Sequence, residues 1–224
     1  MLRLLVKGKR ITRHFNSDSP PRRLLCAVIS LRSIIAQSKR RSGLPVKCGV
    51  RAFVMSSESI FSKLWVIESL PDGDLKTGTA LVENHLRDIQ KDNPSLHLAL
   101  EQPRTKADLI QLLHKIRDET IEEGLYPLLH FECHGCPDGL GVASGELVTW
   151  DELREILIEI NQACKLNLVV ILAACNGVHL IKVATKMDRA PFWAVIGPEK
   201  EITAGEAKHD FSVFYSVFFN LHYS

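Results

Sequence analysis

The sequence predicts an α/β domain, a three-layer sandwich with a mostly parallel central sheet flanked by helices. Three observations carry this. From residue 63 onward, short apolar runs bounded by turn residues recur. The stretches between them place apolar residues at helical spacing. One run, NLVVILAA (167–174), is apolar almost throughout. A strand apolar on both faces belongs inside a sheet covered on both sides, and strands alternating with helices connect by right-handed crossovers.

The elements follow in order. KLWVIESL (63–70) reads as a first strand, closed by the turn Pro71-Asp72-Gly73-Asp74. Thr79 can cap a helix running to about Lys91, with Asn93-Pro94 as its stop. Leu96 to Leu100 reads as a second strand. Thr105 with Asp108 three residues later makes a near capping box for a helix striped by Leu109, Leu112, Leu113 and Ile116, and Gly124 can end it. YPLLHFE (126–132) is a third strand, delivering His134 and Gly135 past its end. Thr149 and Glu152 form a capping box for a helix striped by Leu153, Ile156, Leu157 and Ile160. The apolar run 167–174 is the fourth strand and delivers Cys175-Asn176-Gly177. A helix to about Met187, a fifth strand from Phe192 to Gly197, and a last helix from about Ala204 carrying Phe211, Phe214 and Phe218 complete the pattern.

Charge divides the chain. Residues 1–54 hold thirteen Lys/Arg against one acid, Asp18, whereas residues 55–224 hold fifteen against twenty-five. The first segment mixes a short apolar run, Leu24 to Leu31, with basic clusters, and no period persists long enough to bury a face. It is expected to be a disordered basic extension of the domain at 55–224. Three origins fit it: an upstream start with Met55 as the true one, a transit-like segment, or a basic arm for nucleic acid or membrane. The acidic domain itself argues against nucleic acid as the main partner. No apolar run is long enough to span a bilayer, so no membrane partner is expected. The six cysteines follow no disulfide framework, which points to free thiols in the reducing cytoplasm.

His134 and Cys175 both fall just past the ends of consecutive strands, where open parallel sheets form their binding crevices. A free thiol near pKa ~8.5 is mostly protonated at neutral pH and needs a base to become the nucleophile. A neighbouring imidazole takes that proton or stabilises the thiolate as imidazolium. A helix starting after Gly177 would add its positive end beside Cys175. Gly135 permits close backbone approach, and the amides of Gly135 and Cys175 are the natural oxyanion donors.

At these residues the chain resembles the caspase-like cysteine peptidases. LLHFECHG (128–135) and VVILAACNG (169–177) are most similar to the bacterial branch called CHAT domains, as are WVIESLPDGDLKTG (65–78) and FWAVIGPEKEIT (192–203). The resemblance covers about residues 63–221. It implies a caspase-like fold and a cysteine endopeptidase whose His/Cys dyad is His134 and Cys175, with Gly135 as an oxyanion donor. It also implies a protein or peptide substrate, an activating sensor protein, and a role in bacterial defence or regulated cell death. Ala173 stands where caspases have Gln, so caspase-type Asp specificity is not implied.

Other residues carry competing readings. Asp72 and Asp74 can line an acidic pocket selecting Lys or Arg in the substrate, or form only a polar turn. Glu132 and Asp138 flank His134 and can orient it, or be solvated loop charges. His130, Cys133, His134 and Cys136, with Cys175, have zinc-ligand chemistry, but strand alternation sends His130 and Cys133 to opposite faces, so no metal is expected. No motif asks for a cofactor. The alternative to an enzyme is a catalytically inactive caspase-like module that binds a protein partner.

Overall fold

The computed structural model describes residues 61–184, 189–198 and 201–222, together with the strand segments Leu5–Val6 (β1), Lys9–Arg10 (β2) and Ala27–Ser30 (β3). The rest of the basic extension, and Met187, lie outside the described residues.

Five strands carry the sheet: β4 (Lys63–Ser69), β5 (His97–Glu101), β6 (Pro127–Cys136), β9 (Val169–Ala173) and β10 (Ala194–Gly197). With β3 they lie in the order β3-β10-β9-β6-β4-β5, every neighbouring pair parallel. The apolar run at 24–31 therefore supplies four residues to the sheet, at the edge beside β10. The order reverses direction between β4 and β6, so β6 is flanked by β4 and β9.

Alternation along each strand builds two cores. On one face Trp65, Ile67, Leu129 and Phe131 pack against α3 (Lys106–Glu123) and α4 (Trp150–Ala163). On the other, Leu64, Val66, Leu128 and Ile171 meet Leu81, Leu86, Phe211, Phe214 and Tyr215. These come from α1 (Thr77–Leu81), a π-helical turn (Val82–Leu86) that continues into α2 (Arg87–Asp92), and α6 (Ala204–His222). Helix, sheet and helix make the three layers expected.

Local signals account for most boundaries. Thr105 and Asp108 form a full reciprocal capping box on α3, and Gly124 ends it in the left-handed conformation (φ 65°). Thr149 and Glu152 do the same for the start of α4. Three expectations need correction. The first helix begins at Thr77 rather than after Thr79, because the Thr79 amide and hydroxyl both donate to the buried Glu68 carboxylate (3.0 and 2.7 Å) instead of capping. The segment after Cys175 is a 3-10 turn (Gly177–Leu180) followed by the single turn α5 (Ile181–Ala184), shorter than the helix expected. The third strand does not stop at Glu132: it runs on to Cys136, because an antiparallel hairpin, β7 (Gly139–Gly141) and β8 (Leu147–Thr149), pairs with its end.

Candidate active site

His134 stands one residue beyond the parallel sheet. Parallel pairing of β6 ends at Cys133 opposite Ser69 and at Glu132 opposite Ala173, while His134 itself pairs with Gly141 of the hairpin. Its ring is exposed, and Nε2 lies 2.6 Å from Oδ2 of Asp74. An ionised carboxylate only accepts, so Nε2 carries a hydrogen and donates it to Asp74. Asp74 thus orients the imidazole. It reaches His134 because β4 and β6 lie side by side, bringing the loop after β4 over the end of β6.

Cys175 is half-buried at the tip of β9. Asn176 adopts φ 57°, and the Gly177 amide donates to the Ala174 carbonyl at 3.1 Å, closing a sharp strand-to-helix turn around the thiol. Asn is among the few non-glycine residues that enter the left-handed region readily. The Cys175 thiol donates to the Ile202 carbonyl at 3.7 Å. Ile202 precedes Thr203, which forms a capping arrangement with Glu206 at the start of α6.

The two loops touch through Gly135. A β-carbon built on Gly135 would fall 2.0 Å from the Cys175 carbonyl oxygen and 3.0 Å from its amide nitrogen. Only glycine allows this approach, which sets the peptides of Gly135 and Cys175 against each other. In the form described, the thiol and imidazole do not hydrogen-bond each other. Each is turned to its own partner, Ile202 and Asp74.

The remaining flagged residues are placed as follows. Asp72 is held by Arg104 in a two-pronged ion pair (2.8 and 2.9 Å), which lowers its carboxyl below the ordinary range. Asp138 is exposed, and its carbonyl accepts from the Trp150 amide. Glu132 faces inward: His130 Nε2 lies 2.9 Å from one oxygen and Thr77 donates to the other at 2.7 Å. His130 Nδ1 lies 2.8 Å from the Tyr215 hydroxyl. Burial, then the Glu132 charge, pushes Tyr215 well above its ordinary pKa, so it stays protonated. Tyr215 therefore donates to His130, which donates to Glu132. This relay ties β6 to α6.

His130 and Cys133 take opposite faces, His130 against Phe211 and Cys133 in the core under α4. Among the described residues, no group of three or more His, Cys, Asp or Glu side chains gathers as metal ligands would. Burial pushes Cys133 up to about 12 and Cys164 up to about 11, so neither is a nucleophile at neutral pH. Among the described residues, no helix is long and apolar enough to cross a membrane.

The sequence reading names His134, Gly135 and Cys175, which lie together, and does not name Asp74 as the partner of the histidine. Its only signal is an acid in the turn after the strand that turns out to neighbour β6. No protein-family model matches the chain, and no curated protein matches it.

Proposed function

We propose that the chain is a caspase-like cysteine endopeptidase of the CHAT type, with His134 and Cys175 as its dyad and Asp74 positioning the histidine. The observation that carries this reading is the contact of Gly135 with the Cys175 peptide, one residue from the imidazole, at the ends of adjacent parallel strands. Cys175 turns from Ile202 toward Nδ1 of His134 and gives up its proton. The thiolate attacks the scissile carbonyl carbon. The amides of Gly135 and Cys175 receive the oxyanion, and the imidazolium returns its proton to the leaving amine. Water then releases the acyl group. The substrate is a protein or peptide, the compartment is the cytoplasm, and an activating sensor protein works the enzyme in bacterial defence or regulated cell death.

A second reading, a catalytically inactive module that binds a protein partner, is favoured by one observation: the thiol and the imidazole are each engaged elsewhere. Peptide-resolved iodoacetamide labelling of the full-length protein separates the two. The enzyme reading expects Cys175 to label fastest, and His134→Ala to slow that labelling and abolish cleavage of a peptide library along with Cys175→Ala. Labelling of Cys175 no faster than Cys136, unaffected by His134→Ala, leaves the inactive module.

A further inference from the structure

We propose that Arg104 is a positioning residue for His134, acting through Asp72 and the loop that carries Asp74; this rests on the dyad reading above. The loop at 70–76 leaves β4 at the crevice and has little of its own to hold it. Leu75 is 74% exposed and gives no apolar anchor. The Asp74 amide donates to the Pro71 carbonyl at 3.1 Å, and Lys76 Nζ donates to the carbonyls of Leu70 and Pro71 (2.6 and 2.9 Å). Those bonds shape the loop but do not fix where it points.

Besides the Asp74–His134 contact itself, the loop is fastened from outside by Arg104. Its guanidinium meets both oxygens of Asp72, two residues before Asp74. A planar fork on a carboxylate fixes direction as well as distance, which a point charge does not. The arginine is itself a fixed post. Its amide donates to Asp108 (3.2 Å), and its carbonyl accepts from Ser144 (2.8 Å). The preceding Pro103 carbonyl accepts from the buried Ser69 hydroxyl (2.6 Å), and that hydroxyl also accepts from the Ala143 amide (2.9 Å). Arg104 therefore stands where three segments are bonded together, and it transmits their position through Asp72 to Asp74 and so to the imidazole.

Exposed ion pairs usually contribute little to stability, and both side chains here are mostly exposed. Orientation is a different quantity. A catalytic group displaced by about 1 Å can lose roughly a hundredfold in rate.

The test uses the full-length protein with 15N-labelled histidine. Ring nitrogen shifts of His134 report which nitrogen carries the hydrogen, and iodoacetamide labelling of Cys175 reports the dyad. In wild type His134 should be a single Nε2–H tautomer. R104A and D72N should each convert it to a mixture and slow Cys175 labelling about threefold to tenfold, a partial displacement on the scale above. The double variant should be no worse than either single one, since both break one link. R104K should fall between wild type and R104A. Unchanged ring shifts in R104A and D72N, or additive losses in the double variant, overturn the proposal and leave the dyad standing. If the tautomer responds as expected but wild-type Cys175 labels no faster than Cys136, the peptidase reading fails and the role of Arg104 in placing His134 survives.

Discussion

Gly135 and Cys175 are closer than any side chain would allow: the missing β-carbon of Gly135 would overlap the Cys175 carbonyl oxygen at 2.0 Å. The obstacle is backbone, not the end of a flexible side chain, so it cannot rotate aside. Gly135→Ala should therefore cost about 1–3 kcal/mol as overpacking and push the two loops apart. Denaturant unfolding and Cys175 labelling should both register the change. A variant as stable as wild type, with Cys175 equally reactive, would show that the loops have room to spare.

Asp74 offers a cleaner dissection because both it and the imidazole are partly exposed. Asp74→Ala should leave unfolding nearly unchanged and lower cleavage by up to about a hundredfold, the scale of a misplaced catalytic group. The pattern over a peptide library is decisive. A uniform loss over all sequences marks a residue that orients His134, whereas a loss confined to peptides with Lys or Arg before the cut marks an acidic specificity pocket.

The Tyr215–His130–Glu132 relay predicts stability rather than activity. Tyr215→Phe keeps the ring and removes the hydroxyl that donates to His130 Nδ1. A buried acceptor left without its partner costs about 1–3 kcal/mol. Urea unfolding measures it, and a variant as stable as wild type would mean that His130 finds another donor.

Glu152 predicts an acid dependence. Its hydrogen bond to Lys106, then those from the Thr149 amide and hydroxyl, hold the folded carboxyl at about 2 against an ordinary 4.5. A depressed folded value means that the unfolded chain takes up the proton first. The contribution is thus complete above about 4.5 and is lost as pH falls toward about 2. Wild type should lose its stability advantage over Glu152→Gln across that window, less steeply at high salt because the pair is partly exposed. Parallel acid-unfolding curves for the two proteins would count against it.

How much of this was legible in the sequence depends on whether the signal was local. Capping boxes at Thr105 and Thr149, the stop at Gly124 and the apolar stripes of α3 and α4 are written within a few residues, and all appear where expected. His134, Gly135 and Cys175 were visible because strand ends are local features and consecutive strands tend to be neighbours. What escaped was set by partners far along the chain. Asp74 meets His134 across sixty positions, through a strand order that reverses between β4 and β6. Thr79 looked like a cap, but Glu68, eleven positions earlier, claims it. The extension of β6 to Cys136 depends on a hairpin of two three-residue strands, too short for an alternating pattern to stand out in the sequence.

The reversal of strand order has a consequence for how such a protein comes into being. Asp74, His134 and Cys175 belong to the tips of β4, β6 and β9, so the chain must place three strands side by side before all of them meet. A ribosome that has finished β6 has made His134 and Asp74 but not Cys175. The three side chains can therefore be brought together only after β9 has been made and has paired with β6.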